Sequence, residues 1–326
     1  MSFFEGDLHI KLRVAQKALQ ARSPNTALQD LILTHVVHRL SDVGILDHLV
    51  FKGGSMLRRA IFGRESRFTG DLDFNLANPS HGDIDTSIRA MASKIPGIIA
   101  GLELKIDPTT DIRVPSHGNT HILSVDCILP TGETKNIKVE IDHRAEPILP
   151  PVFMNQRQEF RIGPGSATPL RLSCLRIEEV VGEKVRAAYQ RIRIRDLYDL
   201  SALGKLSFNR DLARKIAILK MWEAPRHNDP FSGGSFRGMI DRHAINGAYE
   251  SDKSELMPYL REKERLDTRD VVDSVIEQYQ FLGTLSSLER KIAADLQGAN
   301  LSAFLELRSE VRAAINGQDD TPALTT

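Results

Sequence analysis

The chain has 326 residues, 41% of them hydrophobic and 26% charged, which is typical of a globular protein with one large or two ordinary domains. Its 43 basic and 43 acidic residues cancel, so a global field directed at nucleic acid is excluded. No apolar run reaches the roughly 18 residues of a membrane helix, the first residues predict no secretory signal, and two cysteines are too few for a disulfide framework. We therefore expect a cytoplasmic protein without a membrane partner.

The first elements of the chain carry clear start and stop signals. Ser23-Pro24 is typical of a helix start, and the helical spacing that follows ends at Gly44. A short apolar strand over 49–51 then runs directly into Gly53-Gly54-Ser55, after which the chain looks helical. Beyond a polar loop, residues 71–76 alternate carboxylate and apolar side chains, which predicts a strand.

Two further alternating segments, 121–129 and 136–142, flank a polar Thr-Gly-Glu-Thr stretch and predict a β-hairpin. Prolines crowd the chain between 147 and 151, and this punctuation predicts a domain boundary. The expected fold class is α/β (α+β), with a mixed sheet and flanking helices over residues 1–155 and a mainly helical domain over residues 156–326.

The second domain reads mostly as helices and holds a concentration of positive charge. Helical spacing covers 175–192, 195–204, 209–222, 252–264, 268–295 and 301–315. A Gly/Ser-rich stretch, 226–238, is predicted to be a loop. Residues 184–220 contain 10 Lys or Arg and 3 Asp. On one continuous helix Lys184, Arg191 and Arg195 would share a face. That face is either simply solvated or suited to nucleic-acid phosphates.

The first chemical signal is the pair Asp71 and Asp73. They lie two residues apart on a predicted strand, so their side chains leave the same face. Two carboxylates that point one way repel each other unless a cation or solvent screens them. Mg²⁺ prefers such oxygen ligands and is commonly bound together with substrate phosphates. The pair therefore predicts a site for Mg²⁺ and a nucleoside triphosphate (NTP).

Two further features support this site. Gly53 and Gly54 let the backbone approach a ligand closely, and at Ser55 the N–H groups of a helix start would attract phosphate. Glu140 and Asp142 share one face of a later strand, and either could supply a third carboxylate. Three carboxylates can hold two metal ions, one for the attacking hydroxyl and one for the triphosphate. Each feature alone is weak, but their order is specific.

These motifs resemble the AbiEii/AbiGii toxin family, which includes the MenT-type toxins and has a nucleotidyltransferase core. The segments Phe51–Arg58 and Arg67–Phe74 read FKGGSMLR and RFTGDLDF. Downstream, Glu183–Ala187 and Arg195–Leu200 read EKVRA and RDLYDL, similar to two later motifs of the family. The resemblance covers roughly residues 45 to 205. The spacing from the Gly-Gly-Ser turn to the first aspartate is slightly longer than usual, which implies a longer loop.

The resemblance implies roles for the residues of the first domain. The Gly53–Ser55 turn is expected to bind the NTP phosphates, and Arg58 directly after it is counted among the nucleotide-binding candidates. Asp71 and Asp73 are expected to hold Mg²⁺ and to be catalytic.

Further roles follow for the later motifs. Glu140 takes the place of the third acidic residue, with Asp142 as the alternative metal ligand. Lys184 is expected to contact the triphosphate, and Asp199 or Asp196 completes the downstream motif. The helical domain would thereby contribute its Lys and Asp to a cleft next to the sheet domain.

The implied function is a nucleotidyltransferase toxin of a toxin–antitoxin or phage-defence system. It would transfer nucleotides from an NTP to an RNA acceptor, with the tRNA 3′ end as the expected target and a cognate antitoxin protein as partner. Two alternatives stay open at this point. One is a nucleotidyltransferase that modifies a protein or a small molecule, and the other is a catalytically silent NTP-binding protein.

Overall fold

The structure, a computed structural model, describes most of the chain. The described residues are 8–77, 84–95, 97–98, 105–106, 116–117, 120–128, 132, 134–143, 146–160, 169–224 and 230–315. Among them, no helix combines the length and apolar character that crossing a membrane requires.

The described residues fall into two compact units. The first draws on Met1–Pro147, Pro151–Leu175 and Pro258–Glu264, and the second on Ile148–Pro150, Arg176–Met257 and Arg265–Thr326. The domain boundary was predicted near residue 155, from the prolines at 147–151. Two strands of the first unit follow these prolines, and the units separate mainly after Leu175.

An eight-stranded mixed sheet forms the first unit. Its strands are β1 Leu49–Lys52, β2 Leu72–Leu76, β3 Lys105–Ile106, β4 Ser116–His117, β5 Thr120–Ile128, β6 Thr134–Asp142, β7 Val152–Asn155 and β8 Arg171–Cys174. The order is β3-β5-β6-β2-β1-β8-β7, with β4 paired to β5. The β2–β6 and β1–β8 pairs are parallel and the other pairs are antiparallel. The sheet and its flanking helices confirm the predicted fold class.

The helices of the first unit are α1 Leu8–Leu19, α2 Pro24–Asp42, the short α3 Gly53–Met56 and α4 Ile84–Ala92. The predicted start of α2 is confirmed, because the Ser23 side chain accepts a hydrogen bond from the Thr26 N–H at 3.1 Å and Pro24 opens the helix. After α3 the chain continues for one wider π-helical turn to Phe62.

The predicted hairpin is the β5–β6 pair. Side chains alternate between the two faces of each strand, so one face of the hairpin is apolar and the other is polar. On β6, Ile137, Val139 and Ile141 are buried, while the residues between them are half-exposed or exposed. The apolar face stabilises the sheet by burial at about 25 cal/mol per Å². The opposite face therefore carries Glu140 and Asp142, which are both partly exposed.

The second unit is mainly helical, as predicted. Its helices are α5 Ile177–Gln190, α6 Ile194–Leu203, α7 Arg210–Glu223, α8 Gly233–Ile245, α9 Ala248–Leu256, α10 Thr268–Gln278, α11 Ser287–Ala293 and α12 Leu301–Ala313. The prediction of a loop through residue 238 was wrong, because Ser232 and Ser235 form a reciprocal capping box that starts α8. The helix predicted over 268–295 is divided into α10 and α11.

The basic run after Lys184 does not lie on one helix. The chain leaves α5 at Gln190, and both Arg191 and Arg193 have extended backbone, with φ of −149° and −143°. The Arg191 guanidinium folds onto Asp196 in the next helix at 2.7 Å. Lys184, Arg191 and Arg195 therefore do not share one helix face, because the chain between the two helices is extended and helical spacing does not continue across it.

A late segment of the chain, Pro258–Glu264, belongs to the first unit. The Phe68 N–H donates to the Tyr259 carbonyl at 2.7 Å, and Arg261 pairs with Glu65 at 2.7 Å. The Glu262 N–H donates to the Gln20 carbonyl at 2.7 Å. This segment therefore secures the loop that leads into β2.

Candidate active site

The parallel pairing of β2 with β6 brings three carboxylates together. Asp73 on β2 lies directly opposite Glu140 on β6, so both side chains leave the same face of the sheet. Asp71 stands immediately before β2 and two residues from Asp73. Oxygen atoms of the three side chains all lie within 4.8 Å of one another.

This carboxylate triad fits a magnesium ion. All three side chains are half-buried, so they are reachable from solvent while held by the sheet. A cation between them offsets the repulsion of three like charges, and carboxylate oxygens are the ligands that Mg²⁺ prefers. The donor set and its spacing therefore support the metal ligands expected from the sequence.

The alternative third carboxylate, Asp142, has a different partner. Its Oδ2 accepts a hydrogen bond from the Lys52 ammonium at 3.2 Å, in a pair that is mostly shielded from solvent. Asp142 is not part of the group of oxygens within 4.8 Å. Of the two candidates, the geometry therefore favours Glu140, and Asp142 neutralises the lysine that ends β1.

The Gly-Gly turn packs directly against the second aspartate of the triad. Gly53 has φ of +69°, and a Cβ added there would lie 2.2 Å from the Asp73 Oδ2. A Cβ at Gly54 would lie 2.8 Å from the Arg67 guanidinium and 3.0 Å from the Thr69 methyl group. Gly53 is thus required by the contact between the turn and the strand segment that carries the carboxylates, and Gly54 lets Arg67 and Thr69 approach the turn closely.

Ser55 is fully buried and organises the same segment. Its hydroxyl donates to the Asp71 carbonyl and lies 2.9 Å from the Thr69 hydroxyl. A serine hydroxyl has a single proton to donate, and a phosphate oxygen would need that proton. In this arrangement Ser55 positions Asp71. The Ser55 hydroxyl can donate a hydrogen bond to a phosphate only after its hydrogen bond to the Asp71 carbonyl is broken.

Arg58 has a different role from the nucleotide contact expected of it. The side chain is fully buried, and its guanidinium binds both oxygens of Asp30 at 2.8 Å and the Ser66 carbonyl at 3.0 Å. It also lies over the Phe68 ring, 4.0 Å from the centroid. A guanidinium engaged in this way is withdrawn from solvent, so Arg58 holds Asp30 and is not exposed to a nucleotide.

In the second unit, α5 and α6 bring the later motifs together. The Lys184 ammonium lies 2.6 Å from Asp199 and 3.4 Å from Asp196, although Asp199 is fifteen positions later in the chain and beyond a helix break. Arg191 binds Asp196 through two nitrogens, at 2.7 and 3.0 Å. Two cations and two carboxylates thus form a compact ion cluster.

Burial makes this cluster sensitive to the loss of any member. Burial raises the pKa of Asp196, but Lys184 and Arg191 outweigh that effect and hold the pKa below its usual value. Removing Lys184 would leave Asp196 and Asp199 buried beside each other with one cation fewer, a change that typically destabilises by about 3–5 kcal/mol. The cluster therefore has a clear structural role, whatever ligand Lys184 also binds.

Sequence reasoning missed two lysines that pair with carboxylates of β6. Lys52 pairs with Asp142, and the ammonium of Lys138 contacts Glu140. Lys138 precedes Glu140 by two residues on a predicted strand, so its position on the same face was available from the spacing. Lys52 could be placed near Asp142 only once the pairings of β1 with β2 and of β2 with β6 were known.

Comparisons with known proteins bear on the family and the fold of this chain. The sequence model of a family described as "Nucleotidyl transferase AbiEii toxin, Type IV TA system" matches residues 35–277. The structure is similar to that of MenT4, a nucleotidyltransferase toxin from Mycobacterium tuberculosis H37Rv, with a TM-score of 0.73 and 20% sequence identity over 92% of this chain and 99% of that chain. This likeness establishes a shared fold. A search of curated proteins finds no match.

Proposed function

The chain belongs to the AbiEii family of nucleotidyltransferase toxins of type IV toxin–antitoxin systems, and from that premise we propose that it transfers nucleotides from an NTP to the 3′ end of a tRNA. A hydroxyl of the acceptor attacks the α-phosphate, the bond from the α-phosphate to the bridging oxygen breaks, and pyrophosphate leaves. Membership in a toxin–antitoxin family also implies a cognate antitoxin as a protein partner. Both substrates are found in the cytoplasm, which is where we expect the enzyme to act.

One observation carries the proposed chemistry: the carboxylate triad lies directly against the Gly53 turn. In our proposal Asp71, Asp73 and Glu140 hold Mg²⁺, which when bound neutralises the triphosphate and activates the acceptor hydroxyl. The backbone of the Gly-Gly-Ser turn is proposed to bind phosphate oxygens. The position of the reacting groups is then set by β2 and β6, which are rigid neighbours in the sheet.

The later motifs are proposed to assist. Lys184 would bind the triphosphate, as its family motif implies, and Asp199 would orient the lysine through their 2.6 Å contact. Because removal of the lysine destabilises the cluster, Lys184→Arg is the informative change. It keeps the positive charge among the two aspartates and alters the geometry at the ammonium.

Mg²⁺ and an NTP together are expected to stabilise the protein more than either does alone. The triphosphate supplies metal ligands that the triad lacks, and at about a hundredfold excess over Kd a ligand specific to the native state adds about 2.7 kcal/mol to the free energy of unfolding. Thermal unfolding with each of the four NTPs, with and without Mg²⁺, measures the effect. Unfolding temperatures that are equal under all conditions would contradict a nucleotide site.

Within the basic run, Arg195 is the strongest candidate for an RNA contact. Arg191 and Arg193 are engaged by Asp196 and Asp252, whereas Arg195 is exposed on α6. Arg195→Ala should weaken tRNA binding and reduce the slope of log affinity against log salt by about 0.7 if it contacts one single-stranded phosphate.

A binding titration at two salt concentrations measures this change. Arg269→Ala removes another exposed helical arginine from the same unit and serves as the matched control. If the two variants bind tRNA with the same affinity and salt dependence, the basic run is a solvated surface.

The acceptor class is tested separately from the site. Incubation with each radiolabelled NTP, Mg²⁺, total RNA and a cell extract shows which species becomes labelled. Label at the 3′ end of tRNA supports the proposal. Label in protein or in a small molecule would redirect it, and a complete absence of label would favour a silent NTP-binding protein.

A further inference from the structure

Lys138 is a lysine that lies directly beside the carboxylate triad. It lies on β6 two residues before Glu140, so its side chain leaves the same face of the sheet. Its ammonium contacts the Glu140 carboxylate directly. The side chain is 36% exposed, so its long stem borders on solvent.

The charges around Lys138 identify it as a counter-ion. Its ammonium contacts Glu140, and an oxygen of Glu140 lies within 4.8 Å of oxygens of Asp71 and Asp73. The negative charges of all three carboxylates therefore attract this ammonium. It provides one positive charge against three negative ones at the place where the sheet presents its metal ligands.

We propose that Lys138 is a resident cation of the triad that Mg²⁺ displaces and that then binds a phosphate oxygen of the NTP. The inference rests on the proposed function of the site. It assigns to this lysine two successive partners: the Glu140 carboxylate before the metal arrives, and the triphosphate afterwards.

Displacement follows from the ligand requirements of the triad. The Glu140 carboxylate that the lysine contacts is one of the three grouped for a metal, and Mg²⁺ demands close oxygen ligands. A divalent ion and an ammonium beside the same carboxylate also repel each other.

The partly exposed side chain of Lys138 is a flexible four-carbon chain, so the ammonium can move away from Glu140 without movement of β6. The nearest new negative charge is then the triphosphate that the metal brings.

The test compares two lysines of one strand. Lys138→Gln removes the proposed cation, while Lys135→Gln makes the same change three residues away on the opposite face of β6. Isothermal titration with Mg²⁺ alone, and then with a non-hydrolysable NTP analogue at saturating Mg²⁺, gives two dissociation constants for each variant. Thermal unfolding in EDTA reports on the metal-free protein.

We expect Lys138→Gln to move the two constants in opposite directions. Loss of the competing cation should tighten Mg²⁺ binding by about two- to fivefold, the range expected for a partly exposed ion pair. Loss of a phosphate ligand should weaken nucleotide binding by a similar factor. In EDTA this variant should unfold at a lower temperature than the wild type. Lys138→Arg should keep both constants near wild type, and Lys135→Gln should change neither.

The outcomes separate this inference from the proposed function. If the wild type binds Mg²⁺ and nucleotide but Lys138→Gln leaves either constant unchanged, or shifts both in the same direction, the inference is overturned and the site stands. If the wild type binds neither ligand, both the site and the inference are overturned.

Discussion

Replacing Asp73 with asparagine should abolish nucleotide transfer while the protein stays folded. Asp73 is the central member of the triad, opposite Glu140 in the β2–β6 register and in contact with the Gly53 turn. Loss of a residue that only hydrogen-bonds to a metal ligand lowers activity about 10- to 100-fold. Loss of a direct ligand should therefore lower activity by more than about a hundredfold. Because the change also removes one of three repelling charges, thermal stability in EDTA should hold or rise.

The matched control is Asp126→Asn. Asp126 is a carboxylate on the same face of the β5–β6 hairpin, where it accepts a hydrogen bond from Asn136 at 2.7 Å, and it lies outside the triad. The control should retain transfer activity. Wild-type turnover by Asp73→Asn, measured with radiolabelled NTP, would show that Asp73 is not a metal ligand.

Gly53→Ala should lower both stability and activity. The backbone there has φ of +69°, which strains any residue with a side chain, and the new Cβ would meet the Asp73 carboxylate at 2.2 Å instead of the 3.4 Å at which ordinary contact begins. Strain and overpacking together should reduce the free energy of unfolding by about 2–5 kcal/mol. The aspartate must also shift by about 1 Å, a misplacement that can lower catalysis about a hundredfold.

The variant Gly247→Ala serves as the control that has the backbone strain of Gly53→Ala but lacks its steric contact. Gly247 has φ of +68°, almost the same as Gly53, but an added Cβ would have no atom within 4 Å. This control should lose only the strain contribution, about 1–2 kcal/mol, and keep full activity. Denaturant unfolding and transfer assays on both variants measure the difference. Equal effects of the two changes on activity would show that the contact with Asp73 is unimportant.

Local patterns were sufficient to predict much of the fold and the carboxylate pair. Alternation along β2, β5 and β6 and the cap at Ser23 depend on neighbouring residues, which the sequence displays directly. Asp71 and Asp73 were predicted on one face because the period of a strand is two.

Features that depend on distant partners could not be predicted. Glu140 and Asp142 have equivalent spacing on β6, and only the pairing with β2 on one side and the contact with Lys52 distinguish them. The partner of Arg58 could not be predicted, because its neighbours in sequence suggest phosphate, whereas Asp30, which binds it, lies 28 residues earlier on α2.

The return of Pro258–Glu264 to the first unit has a consequence for how the protein is made. Domains generally fold as units during synthesis, the N-terminal one first. Here the loop before β2 is bound by residues that the ribosome adds long after the last sheet strand, Arg171–Cys174. The nascent chain therefore cannot complete its first unit until Glu264 has emerged, and a fragment that stops at Leu175 lacks part of it. A toxin core assembled in this order is finished only when most of its polypeptide has been translated.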